Sequence, residues 1–190
     1  MTKRIVLIHG APGTGKSTLV ERLRKDLTVP IIEKDAIKEF YFDYIGVGDQ
    51  EHSRILGRAS IDAMFSLARL LLKVEDAVVL ENAFYADLAP KDIKGIAGIV
   101  DFGGVQFLEV YCSVNEPERM RRFAKRAASD RHIGHGDATN ADQAGILDRY
   151  RPMNIGKTIM VDMTERDYKR DDDITRAISD FIKGDDHETN

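Results

Sequence analysis

The chain has 190 residues, 43% of them hydrophobic and 32% charged, and a formal net charge of -4 at pH 7. That suffices for one packed core and is short for two, and the acidic balance excludes a general attraction to nucleic acid or anionic membrane. The single cysteine, Cys112, excludes an intramolecular disulfide and agrees with a reducing, cytoplasmic setting, while the apolar run in "MTKRIVLIHG" is too short for a signal peptide or a membrane span.

Short apolar runs alternate with stretches of helical period, which predicts one α/β domain over residues 1–190 with a five-stranded parallel sheet and helices on both faces. The first strand, 4–9, runs straight into a glycine loop. Gly10, Ala11, Pro12, Gly13, Thr14, Gly15, Lys16, Ser17 and Thr18 carry the P-loop spacing of a glycine, four residues and Gly-Lys-Ser, between a strand and a helix. The glycines let backbone N–H groups turn inward on an anion, and the helix adds the positive end of its dipole. Lys16 then reaches the terminal phosphates, and the Ser17 hydroxyl suits the magnesium ion that accompanies them. The loop is therefore expected to hold a nucleoside triphosphate. A GTPase would need a guanine-reading Asn-Lys-x-Asp segment after a strand, and the chain has none; an AAA-type motor needs a further helical domain for which there is no room. A small kinase remains.

The second strand, 30–34, is followed directly by Asp35. In a doubly wound sheet the strand ends that carry ligands lie on the P-loop side, so this carboxylate can align an acceptor hydroxyl and take its proton; it can equally cap the helix of "AIKEFYF". The aromatics and charges of "KEFYFDY", 38–44, fit either an acceptor pocket or an amphipathic packing helix. From Glu51 to Val74 a helical stripe of Leu56, Ala59, Ala63, Leu67, Leu70 and Val74 reads as core. The third strand, 77–82, ends in Glu81 and Asn82. P-loop proteins place an acid there that positions magnesium through its water shell, and Asn82 fits either an acceptor contact or a turn cap. In the fourth strand, 107–113, Cys112 reads as a small core residue.

A helix begins near Asn115, with Glu118 completing a capping-box pattern and Pro117 in its first turn. Arg119, Arg122 and Arg126 then share a helical face, with Arg131 just beyond; a solvated basic face would have the same letters. Of these, Arg119 is expected at the surface. Residues 129–152, rich in Gly, Asp, His and Asn, read as an insertion before the fifth strand, 157–163. His132, His135 and Asp137 within it form only an incomplete metal set. The polar tail 184–190 is expected to fray.

"GAPGTGKST", "IIEKDAIKE", "VVLENAF" and "CSVNEPERMRRFAKRAASDRHIGHGD" resemble, in that order and spacing, the small P-loop kinases of the adenylate-kinase-like group. The nearest resemblance is to bacterial ATP-dependent kinases often labelled AAA-family ATPases, with chloramphenicol phosphotransferase, zeta-toxin and polynucleotide kinases as cousins. It implies ATP and Mg2+ as the bound pair, transfer of the γ-phosphate to an acceptor hydroxyl, and a catalytic role for Asp35 beside Lys16. It also implies a lid over about 120–152 in which Arg126 and Arg131, with Arg122 assisting, close on the triphosphate. The expected acceptor is a small molecule; a nucleotide or nucleic-acid 5′-hydroxyl is the alternative, and an ATP-binding regulatory module without transfer is the alternative of another class.

Overall fold

The structure is a computed structural model whose description covers residues 2–97, 104–129, 148–165 and 168–185, excluding the helical side chains at 94, 96, 97, 123, 126–129 and 168–171. In chain order the elements are β1 (Lys3–His9), α1 (Lys16–Asp26), β2 (Ile31–Glu33), α2 (Lys34–Ile45), α3 (Gln50–Leu71), β3 (Ala77–Glu81), α4 (Ala89–Ala97), β4 (Val105–Ser113), α5 (Glu116–Ser129), β5 (Lys157–Asp162) and α6 (Tyr168–Lys183). All five predicted strands are present. They form one sheet in the order β2-β3-β1-β4-β5, and every neighbouring pair is parallel. The predicted α/β class and P-loop architecture therefore stand.

Alternate residues of β1 bury against opposite layers. Ile5 and Leu7 join Met64, Phe65 and Ala68 of α3 and Ile93 of α4, whereas Val6 and Ile8 join Leu19, Val20 and Leu23 of α1 and Ile174, Ile178 and Phe181 of α6. With both faces covered, the middle of β1 from Ile5 to Ile8 is apolar throughout, which is why the strands read as largely apolar runs. Cys112 is buried in this core, as its place in β4 suggested. Among the described residues no helix is long and apolar enough to cross a membrane.

Helix α3 corrects the expected stripe. Leu67, Leu70 and Val74 are exposed, and Val74 lies beyond the helix; the buried line is Ser53, Leu56, Ser60, Met64, Phe65 and Ala68. Two serines occupy core positions. Ser60 Oγ donates to the Leu56 carbonyl at 2.6 Å, which satisfies its hydroxyl within the helix and removes most of the cost of burying it. A stripe chosen from apolar letters alone skips Ser53 and Ser60, so it drifts onto the wrong face.

The start of α5 is half of the predicted capping box. Asn115 Oδ1 accepts from the Glu118 N–H at 3.0 Å, but the Asn115 N–H donates to Thr164 Oγ1 at 3.0 Å instead of to Glu118. The Glu118 carboxylate turns to Arg121 and Arg122, whose guanidiniums hold its pKa down to about 2. Arg131, His132, His135 and Asp137, with the rest of 130–147, lie outside the described residues, as do residues 186–190 of the tail.

Candidate active site

Because all five strands are parallel, their carboxyl ends share one edge, and the chain between β1 and α1 sits there. Gly10, Gly13 and Gly15 have φ of +144°, +88° and +95°, backbone that side chains rarely adopt. A Cβ on Gly10 would lie 2.1 Å from the Cys112 carbonyl oxygen, so β4 admits only glycine where the loop leaves β1. Thr14 braces the loop from within, its N–H and Oγ1 both donating to the Ala11 carbonyl, at 3.3 and 2.9 Å. Gly15 then caps α1 without a side-chain hydrogen bond, and the first turn of α1 holds no acid. By contrast α2, α3, α4 and α5 each carry an acid in the first turn. The positive end of the α1 dipole is thus left to an external anion.

Lys16 is buried, and its Nζ donates to the Ala11 carbonyl at 3.1 Å and stands 3.8 Å from Glu81 Oε1. Glu81 ends β3 in register with Ile8 of β1 and Glu33 of β2, so one row across the sheet brings the lysine of the loop and the acid of β3 together. Ser17 and Thr18 are exposed at the start of α1. Asn82, beside Glu81, is buried, and its N–H donates to the Ile8 carbonyl at 3.2 Å.

Asp35 lies in the first turn of α2, two residues beyond that row, with an exposed carboxylate 2.9 Å from Lys34 Nζ. It is not the cap of α2. That position belongs to Glu33, which makes no side-chain capping bond and pairs with Arg24 instead. Asp35 thus stands at the same edge as the glycine loop, across β3 from it. Two interstrand spacings, roughly 10 Å, separate β1 from β2, which leaves room for a phosphate and an acceptor group between loop and carboxylate. In "KEFYFDY", Phe42 packs inward, whereas Phe40 and Tyr44 stack outside with ring centroids 6.0 Å apart. Lys38 crosses to α3, its Nζ donating to Ser53 Oγ at 2.9 Å.

The arginine face of α5 lies against the loop, beginning one turn earlier than expected. Arg119, read as a surface residue, is buried: its guanidinium forks onto Glu116 at 2.9 and 2.7 Å, and its carbonyl lies 3.1 Å from where a Gly13 Cβ would be. Packing against a glycine backbone removes the stem of Arg119 from water while the Glu116 pair satisfies its head. One turn on, Arg122 Nη1 lies 3.4 Å from the Cβ position of Gly15, and Nη2 donates to the Met163 carbonyl at 2.7 Å. Arg126 is on the same helix; its side chain, like all of Arg131, lies outside the described residues.

Two clusters went unread in the sequence. At the root of the loop, His9 Nε2 donates to Glu109 Oε1 at 2.6 Å, with both side chains fully buried. Beyond β3, the Arg149 guanidinium lies 4.0 Å over the Tyr85 ring and forks onto Asp87 at 3.2 and 2.9 Å, holding the Asp87 carboxyl below its usual range. The partners in both clusters are 62 or more residues apart, so no local pattern announces them.

A glycine cradle at the carboxyl edge of a parallel sheet, with its lysine beside the acid of the adjacent strand, defines an α/β P-loop protein. A family model described as an AAA domain matches residues 5–152, and the chain belongs to that family. Among solved structures it is similar to a protein from Chloroflexus aurantiacus j-10-fl described as a "putative kinase", at 26% identity and a TM-score of 0.83, covering 95% of this chain and 99% of that one. It shares its fold with the APS kinase of Mycobacterium tuberculosis, solved with AMPPNP and APS, at 23% identity, TM-score 0.57, and 96% and 98% coverage. The shikimate kinase of Acinetobacter baumannii, solved with shikimate, shares it at 13% identity, TM-score 0.58, and 99% and 97% coverage. No curated protein matches the chain. The architecture is that of the small P-loop kinases, as the resemblance in the sequence implied.

Proposed function

We propose that the protein is an ATP-dependent kinase that transfers the γ-phosphate to a hydroxyl of a small molecule. The observation that carries this reading is the meeting of Lys16 Nζ and Glu81 Oε1 at 3.8 Å, on the edge that also bears Asp35. The loop amides and Lys16 bind the triphosphate. Asp35 aligns the acceptor hydroxyl and takes its proton as the oxygen bonds to the γ-phosphorus and the bridging oxygen leaves with ADP. The donor set fits Mg2+: Ser17, with a hydroxyl at the start of α1, and Glu81, which ends the adjacent strand, would hold it, Glu81 through water. When bound, that ion neutralises phosphate charge. Arg122, which packs on Gly15, assists nucleotide binding. For Arg126 and Arg131 the spacing and the resemblance support contact with the transferring phosphate.

A small-molecule acceptor agrees with the net charge of -4 and with shikimate as the compound bound by one structural neighbour; APS, bound by another, is itself a nucleotide and favours neither reading. The deciding experiment measures acceptor-stimulated ADP release over sugars, polyols, nucleosides, antibiotics and 5′-hydroxyl oligonucleotides, with and without Mg2+. Magnesium-dependent turnover with one small-molecule class is the expected result. Preference for oligonucleotides would overturn the acceptor class, and ATP binding with no stimulated release would indicate a regulatory module.

A further inference from the structure

Glu109 lies within β4 opposite Leu7, and its carboxylate collects four hydrogen bonds from three parts of the chain. Oε1 accepts from His9 Nε2 and the Met153 N–H, both at 2.6 Å; Oε2 accepts from Thr158 Oγ1 at 3.0 Å and the Ile155 N–H at 3.3 Å. With donors on both its oxygens the group is stabilised as the carboxylate, which only accepts, so Nε2 of His9 carries the shared proton. The imidazole is held at its edges too, with the Tyr111 ring at 5.2 Å and the Phe84 ring at 6.3 Å. Burial pushes the Glu109 carboxyl up, yet His9, the Met153 amide and Thr158 outweigh it and hold the group below the usual carboxylate range.

An apolar pair would fill this part of the sheet face without desolvating a carboxylate, so packing alone does not account for it. What the carboxylate joins does. Through His9 it holds the residue that immediately precedes Gly10, and through Met153 and Ile155 it holds the chain that runs into β5. Gly10 lies so close to the Cys112 carbonyl that any slip of the β1 end along β4 reaches the phosphate loop directly. We infer that Glu109 is a positioning residue which, acting through the His9 imidazole, sets the level at which the glycine loop leaves β1. The inference rests on the kinase reading above, but a displaced loop also weakens nucleotide binding, which can be read without any transfer.

The test compares His9→Leu, His9→Gln and Glu109→Gln. His9→Gln puts an amide nitrogen near the place of Nε2 and keeps the donor, whereas His9→Leu removes it. Affinity for a non-hydrolysable ATP analogue, kcat per folded molecule and the unfolding midpoint are measured on each. A misplaced loop should lower kcat in His9→Leu and Glu109→Gln by at least ~10-fold, more than it lowers analogue affinity, with His9→Gln within ~3-fold of the wild type. A lower unfolding midpoint with unchanged kcat and affinity would overturn the positioning role and leave the pair as core structure. Should His9→Leu not fold, the same comparison between Glu109→Gln and His9→Gln decides: equal losses overturn the role, and loss in the former alone supports it. If the wild type transfers phosphate to no acceptor, the kinase reading fails by itself. Analogue affinity then decides the positioning role: loss in His9→Leu restored in His9→Gln supports it, and equal affinities overturn it.

Discussion

Lys16 and Asp35 stand on opposite sides of β3, and their substitutions should fail differently. Lys16→Ala deletes the buried cation that the proposed function sets against the terminal phosphates, so ATP affinity and turnover should fall together. Asp35→Asn keeps the shape of an exposed side chain outside the loop. It should bind ATP normally and lose acceptor phosphorylation by at least ~100-fold, the usual scale for a positioned general base. Calorimetric ATP titration and single-turnover transfer on the same preparations separate the two. Near-normal transfer by Asp35→Asn would remove it from the reaction. Gly10, Lys16 and Ser17 were legible in the sequence because the loop's chemistry demands fixed residue types at fixed spacing. Arg119 was not, because its burial depends on Gly13 lying across from it, and the sequence distance between the two carries no sign of that contact.

The five strands were legible element by element, since a strand covered on both faces is largely apolar, and a single buried exception such as Glu109 does not break the run. The register of α3 was not, because its core line passes through Ser53 and Ser60, whose hydroxyls are satisfied locally or by Lys38. That register predicts an asymmetry in stability. Met64→Ala opens a cavity under β1 and should cost ~2–5 kcal/mol, whereas Leu70→Ser on the exposed face should stay within ~0.5 kcal/mol. Urea unfolding of the two variants checks it, and comparable losses would return Leu70 to the core. Helix α5 supports a second prediction, because Arg119 and Arg122 already bring its face to the glycine loop. Arg126→Ala and Arg131→Ala should each lower kcat more than they raise KM for ATP, since a contact made to the transferring phosphate is strongest in the transition state. Wild-type kinetics in both would make the remainder of the basic run a solvated surface.

For the molecule as a whole, the sheet order puts β1 at the centre, and Glu109 ties that centre to the chain entering β5 at the far edge. The consequence is a particular dependence of stability on acid. Glu109 has a folded pKa below its ordinary value of 4.5, so the unfolded chain takes up its proton first as the pH falls. The stability it contributes is therefore present above that ordinary value and is lost as pH descends through the folded value. Asp87, Glu116 and Glu118 are also lowered, by Arg149, by Arg119 and by Arg121 with Arg122, but Asp87 and Glu116 lie in water and Glu118 is partly exposed, so salt screens these pairs more than the fully buried Glu109. Urea midpoints followed from about pH 6 to about pH 3, at low and high salt, divide the two sources. Added salt should flatten part of the acid fall and leave the rest. Glu109→Gln, less stable at neutral pH because its amide faces donors, should show the shallower fall in high salt, having no proton to take up at that site. An acid fall in high salt as steep in Glu109→Gln as in the wild type would place the acid sensitivity on the surface pairs and detach it from the centre of the sheet.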